Sequence, residues 1–167
     1  MTRLGPARIS PDLARRRAGG AALLIGAAVV AVTLAPVGPA RLFWVGLMLG
    51  VTYLVAAAVR GRGGPLWAPA LVLACWGGAV ALWFTGHLRE DFTAVAVAGL
   101  GVGAVLAALL PRVGVVASPV AIGVTVLLIG LLEGVQASRH GVWDKGWAYA
   151  VLPAAWGLWQ LRPETRR

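Results

Sequence analysis

The side chains able to carry acid–base chemistry gather in two polar segments, separated by long apolar stretches. Carboxylates beside an imidazole can pass protons to a substrate, and an imidazole changes charge near neutral pH, so such a group can also sense external acidity. The alternative is a set of solvated charges that pair only weakly. The candidate polar cluster consists of His87, Arg89, Glu90 and Asp91 in the first segment and Glu133, His140 and Asp144 in the second.

Other reactive side chains are scarce in this sequence. Cys75 is the single cysteine and lies within an apolar run, which excludes an intrachain disulfide and a thiolate-rich metal site. Two histidines alone make a poor metal site, and the chain contains no GxSxG, HExxH or P-loop motif. The sequence therefore predicts no metal, no cofactor and no catalytic residue.

Long apolar stretches must position the polar segments. The chain has 167 residues, of which 59% are hydrophobic and 13% charged, whereas a soluble domain carries about 25% charged residues. About 18 apolar residues can cross the hydrocarbon core, and they must be helical because every backbone polar group there needs an internal partner. The sequence predicts an all-α polytopic membrane bundle over residues 18–161, with six transmembrane helices at 18–35, 42–59, 66–85, 92–110, 113–132 and 146–161.

The six predicted spans contain no acidic, basic or histidine residue. Charges within a membrane are costly and usually persist there for function, so their absence argues against a proton-coupled carrier and against metal or haem ligation in the bundle. Trp76 and Trp156 lie deeper in their spans than the interfacial tryptophans do. They pack between helices or, alternatively, line a ligand cavity.

The basic residues predict the orientation of the bundle. With the N-terminus inside, most of the 15 Lys and Arg residues fall on the cytoplasmic side, as the positive-inside rule requires. The chain then has cytoplasmic tails at 1–17 and 162–167, in a bacterial plasma membrane. A signal peptide is the alternative interpretation of the first span, but Pro39 beside the potential cleavage position argues against it.

The net charge of +9 is explained by the same topology. In a soluble protein it would suggest nucleic acid, but here the basic residues lie between and beyond the apolar runs, so no nucleic-acid partner is expected. Arg15, Arg16 and Arg17 are topology determinants and candidates to bind anionic lipid headgroups of the bilayer.

An internal repeat groups the predicted helices in pairs. At one fixed offset, Gly26 matches Gly77 and Gly50 matches Gly101, and residues 23–26 recur as residues 127–130 near twice that offset. The pattern predicts three tandem helical hairpins. Each hairpin enters the membrane from the same side, so the repeats are parallel.

Glycines at helical spacing indicate where helices can approach closely. Two glycines four residues apart on one face let the backbones pack by van der Waals contact. Contacts within the monomer and contacts between copies in a homo-oligomer both fit this pattern. The candidate packing pairs are Gly46 with Gly50, Gly99 with Gly103, and Gly130 with Gly134.

The hairpin pattern resembles a known family. Residues 26–36 form an apolar helix with a central glycine that ends near proline, residues 42–60 form a second one that ends in arginine, and residues 70–111 repeat this arrangement. Three such hairpins look like the HdeD-type short-repeat membrane proteins. The resemblance implies a non-enzymatic protein of the bacterial inner membrane, associated with acid-stress resistance.

Three functions are compatible with these features. The uncharged interior, the repeat and the small-residue faces favour a non-catalytic integral membrane protein, either a stress-related bundle or an accessory subunit of a larger membrane complex. A small channel or carrier for a neutral solute is the second, and it needs a polar path through the bundle. A membrane enzyme acting at the outer headgroup level is the third, and it needs His87, Glu133 and His140 to lie close together.

Overall fold

The computed structural model describes residues 11–34, 43–88, 90–137 and 150–161, and all regular structure in these ranges is helical. The all-α prediction is therefore confirmed for this part of the chain. The α-helices found there are α1 (Pro11–Leu34), α2 (Val45–Arg60), α3 (Trp67–Phe84), α4 (Phe92–Leu109), α5 (Pro119–Ala137) and α6 (Val151–Leu161).

Several of these helices have the length and composition of membrane spans. Three segments, Pro11–Thr33, Trp67–Phe84 and Phe92–Val113, are long and apolar enough to cross a membrane. Two shorter apolar helical segments, Val45–Arg60 and Pro119–Leu131, accompany them.

The outer surface of the bundle is apolar as well. Val32 is 74% exposed, Val120 is 72% exposed, and many other large aliphatic side chains also face outwards. Soluble monomers rarely expose extensive contiguous apolar surface. Such an exterior is suited to lipid.

Helix α1 begins earlier than its predicted span. It starts at Pro11, so residues 15–17 lie on the helix, whereas the sequence predicts a tail at 1–17. Proline suits the first helical turn because its nitrogen has no hydrogen to leave unpaired. Asp12 beside it complements the positive end of the helix dipole. The basic side chains are thereby held on a rigid element.

Helix α5 begins later than its predicted span at 113–132. Leu110–Val113 form a 3₁₀ turn, and Gly114 follows with a left-handed backbone at φ +74°. Only glycine adopts this conformation without a steric cost. Residues 115–118 are then non-helical, and α5 starts at Pro119. The segment 114–118 is therefore a connection and not part of a helix.

Helix α3 is the centre of the packing. It lies between α2 and α4, and α1 packs against both α2 and α6. Leu23, Leu66 and Ile129 are almost completely buried in the core. Among the described residues, helix α5 contacts α3 and, to a smaller extent, α4.

The glycines matched by the internal repeat do not have equivalent neighbours. A Cβ at Gly50 would lie 2.5 Å from Cα of Ala74, whereas a Cβ at Gly101 would meet no atom within 4 Å. Helix α6 packs against α1, and α5 packs against α3. The three-hairpin repeat therefore stays a prediction from the sequence.

Candidate functional site

The described part of the predicted polar cluster lies at the turn between α3 and α4. His87, Glu90 and Asp91 are exposed there. Nδ1 of His87 lies 2.9 Å from Oγ1 of Thr85. The carboxylate of Asp91 accepts a hydrogen bond of 3.1 Å from the backbone N–H of Thr93 and so caps α4. Asp91 thus has a structural role at this turn.

The other members of the polar cluster are Arg89, Glu133, His140 and Asp144. Arg89, His140, Asp144 and the side chain of Glu133 lie outside the described residues. The meeting of the two polar segments accordingly stays a prediction. In the described ranges, no group of three or more His, Cys, Asp or Glu side chains could hold a metal ion.

The first predicted glycine pair lies at the contact between α2 and α3. A Cβ at Gly46 would come within 2.6 Å of the Trp76 ring, and Gly50 faces the backbone of Ala74. The two helices approach so closely because neither glycine carries a side chain.

The second predicted glycine pair lies on α4. A Cβ at Gly99 would lie 2.6 Å from Cβ of Ala79, and Gly103 is similarly close to α3. In the third pair, Gly130 has no neighbour within 4 Å of an added Cβ, and the surroundings of Gly134 lie outside the described residues. Close glycine contacts therefore join α3 to both of its neighbours.

The described helices enclose a cavity between α2, α3, α5 and α6. Its volume is about 500 Å³, within the range of about 300–1,000 Å³ that is usual for ligand sites. Aliphatic and aromatic side chains form nearly all of its wall. The lining includes Val45, Leu49 and Tyr53 from α2, Pro69, Leu73 and Trp76 from α3, Val120, Ala121, Val124 and Leu128 from α5, and Leu152, Trp156 and Trp159 from α6.

The cavity is elongated along the helix axes. Val45, Leu49 and Tyr53 recur every four residues and so lie on one face of α2, over about 12 Å at 1.5 Å per residue. Lining residues on α5 run from Val120 to Ile129, about 13 Å by the same rise. The shape suits an extended chain better than a compact solute.

One side of the cavity opens to the surroundings. Val120 and Trp159 line it and are 72% and 54% exposed, and Val124 and Leu128 are exposed too. These residues belong to α5 and α6, so the opening lies between those helices on the flank of the bundle.

Few polar groups face the cavity. The Thr125 hydroxyl donates a 2.7 Å hydrogen bond to the carbonyl of Ala121 and is therefore satisfied within its own helix. Nε1 of Trp76 is buried and has no hydrogen-bond partner among the described residues. Ser118 also lines the cavity and lies two residues after Val116, whose backbone N–H donates to the carbonyl of Arg62. The wall is thus suited to bind hydrocarbon.

Basic residues lie at one end of the cavity. The Arg16 guanidinium lies 5.7 Å from the ring centroid of Trp159, a cation–π distance. Gln160, next on α6, is only 1% exposed, and neither Nε2 nor Oε1 has a hydrogen-bond partner in the described chain. A Cβ at Gly19 would lie 3.4 Å from Oε1 of Gln160 and 3.5 Å from Cβ of Arg60. Polar groups of α1, α2 and α6 meet here.

Comparison with known proteins gives no relative. No protein-family model, curated protein or solved structure matches this chain. The resemblance to the HdeD-type proteins consequently rests on the pattern of helices, glycines and prolines alone.

The sequence alone did not locate the cavity. The one feature of the sequence that pointed to the cavity was the depth of Trp76 and Trp156 in their predicted spans. Both residues line the cavity. The involvement of Tyr53, Ala121 and Trp159 has no comparable signature, because these residues differ little in type from their helical surroundings.

Proposed function

We propose that the protein is a non-catalytic integral membrane protein that binds the apolar chain of a membrane molecule between α2, α3, α5 and α6. The elongated apolar cavity supports this proposal most directly. Pockets of this kind bind ligands mainly through hydrophobic surface, and a few polar groups fix orientation. The opening between α5 and α6 gives access from the side, where lipid would lie.

The membrane arrangement belongs to the same proposal. Six helices span a bacterial plasma membrane, and both termini lie in the cytoplasm. Three long and two shorter apolar helical segments support it. The described arginines also support it, since they all lie at the end where α1 begins and α2 ends, which suits a cytoplasmic face.

The other functions have less support. A channel for a neutral solute needs a polar path, whereas the wall of this cavity is apolar. An outer-face enzyme rests on Glu133 and His140, which lie outside the described side chains. A role in stress resistance or as an accessory subunit is compatible with binding a membrane molecule and remains part of the proposal.

The orientation predicts a labelling pattern. In a Cys75→Ala background, a cysteine replacing the exposed His87 should react with a membrane-impermeant maleimide in intact cells. A cysteine replacing Gly63, in the exposed turn between α2 and α3, should react only after permeabilisation. The measurement is the labelled fraction at each position, and the reversed pattern would refute the orientation.

Filling the cavity predicts a loss of binding. Ala121→Phe should place an aromatic ring in the space that an apolar chain occupies. We expect the half-saturating amount of a spin-labelled long-chain alcohol to rise at least about tenfold, or ~1.4 kcal/mol. The measurement is quenching of tryptophan fluorescence in nanodiscs, because Trp76, Trp156 and Trp159 line the cavity.

Leu127→Phe is the matched control for this experiment. Leu127 lies on the same helix but is 62% exposed and does not line the cavity. The control should quench like the wild-type protein. Saturable quenching that is equal in all three proteins, or no saturable quenching in the wild type, would refute binding in the cavity.

A further inference from the structure

Charge is distributed unequally along the bundle. The described arginine side chains lie at the end where α1 begins and α2, α4 and α6 end, with the exposed Asp12 as the acidic side chain described there. Glu90 and Asp91 lie at the opposite end, in the turn between α3 and α4. A ligand lying along the cavity therefore has one end near positive charge. The arginines at this end are Arg15, Arg16, Arg17, Arg60, Arg62 and Arg112.

Part of this charge lies directly at the cavity wall. Trp159 lines the cavity, and the Arg16 guanidinium lies over its ring. The carbonyl of Arg62 accepts a 3.1 Å hydrogen bond from the backbone N–H of Val116, which holds the turn after α2 beside the segment leading to Ser118. Ser118 itself lines the cavity. The basic end therefore adjoins the apolar space at Trp159 and Ser118.

The arginines at this end are also close to one another. Partial burial, and then the positive charge of Arg16, lower the pKa of Arg60, which lies just beyond the predicted span 42–59. Two like charges in a partly desolvated place repel each other.

A buried amide adds a neutral hydrogen-bonding group at the same end. Gln160 meets Arg60 at Gly19, and its amide has no partner among the described residues. Buried polar groups normally have a hydrogen-bond partner, so an unpartnered one calls for an explanation. Oε1 of Gln160 lies beside Gly19, in the contact between α1 and α6, and Gln160 does not line the cavity.

We propose that the ligand of the cavity is a membrane amphiphile with an anionic headgroup. Its alkyl chain lies between α2, α3, α5 and α6, and its head lies at the end where the Arg16 guanidinium lies over the ring of Trp159. This inference rests on the function proposed above. It narrows the ligand from any apolar chain to one that carries a phosphate or carboxylate at the cytoplasmic end.

The test compares headgroups on one spin-labelled alkyl chain. The full-length protein is reconstituted in nanodiscs of zwitterionic lipid, and tryptophan quenching is followed with a phosphate, a hydroxyl or a trimethylammonium head. We expect the phosphate to half-saturate at an amount about tenfold lower than the alcohol, and the ammonium head to bind most weakly. Arg16→Gln should lower the ratio of the half-saturating amounts of alcohol and phosphate about fivefold.

Arg17→Gln is the matched control, because it removes the same charge from the next residue of α1. It should keep the preference for phosphate within about twofold. An equal loss in Arg16→Gln and Arg17→Gln would indicate general surface charge and would overturn the proposed head site. If the phosphate and the alcohol quench equally, and Ala121→Phe abolishes the quenching by both, the proposed head site is overturned. The proposed function would then stand. No quenching sensitive to Ala121→Phe, with any headgroup, would refute the proposed function itself.

Discussion

Replacing Gly77 by leucine is expected to push α2 away from α3 and to unfold much of the protein at temperatures that the wild type tolerates. An added Cβ at Gly77 would overlap the backbone carbonyl carbon of Gly46 and the backbone nitrogen of Leu47. Backbone atoms cannot turn aside as a flexible side chain can. Overpacking a core usually costs about 1–3 kcal/mol, and we expect about 3 kcal/mol or more here because a whole helix must move.

The adjacent glycine is the matched control for this substitution. A Cβ at Gly78 would meet no atom within 4 Å, so Gly78→Leu should change stability by less than about 0.5 kcal/mol. The measurement is the fraction of monodisperse protein that remains after heating, read by size-exclusion chromatography. Equal losses in the two variants would show that general hydrophobicity, and not the contact with Gly46, controls stability.

Replacing Gln160 by methionine is expected to stabilise the protein. The side chain is 1% exposed, and both of its polar atoms lack partners among the described residues. A buried polar group without a hydrogen bond costs about 1–3 kcal/mol, and methionine has a similar length without that penalty. We expect a gain of about 1–2 kcal/mol in stability.

Thr125→Val is the control for this prediction. It also makes a buried polar residue apolar, but the Thr125 hydroxyl already donates to the carbonyl of Ala121. It should therefore bring no comparable gain. The measurement is the thermal midpoint in detergent without added amphiphile. If both variants gain equally, the unpartnered amide of Gln160 is not the cause.

The helices themselves could be predicted from the sequence, because a long apolar run in a chain with few charges has few other stable structures. Helix α5 starts at Pro119 and not at residue 113 as predicted. The left-handed turn at Gly114 separates α5 from the preceding helical turn, and hydropathy does not reveal such a turn. Similarly, residues 15–17 belong to α1 because helix formation can extend beyond the apolar part of a span. Local chemistry therefore determined the ends of the helices.

The cavity could not be predicted in the same way. It depends on how far α5 lies from α2 and α6, which is a relation between helices and leaves no mark in the local composition. The sequence predicted a candidate site at the polar cluster instead, because His87 and its neighbours are chemically distinctive. Apolar binding sites in membrane proteins resemble the surrounding spans, so sequence motifs are a poor guide to them.

The opening between α5 and α6 determines which concentration controls the occupancy of the cavity. A molecule that enters from the flank of the bundle does not have to dissolve in water first. The relevant quantity is then its mole fraction among the surrounding lipids, so a poorly water-soluble compound can saturate the site while its aqueous concentration stays negligible. The protein would accordingly respond to changes in membrane composition, and its affinity is best expressed per lipid.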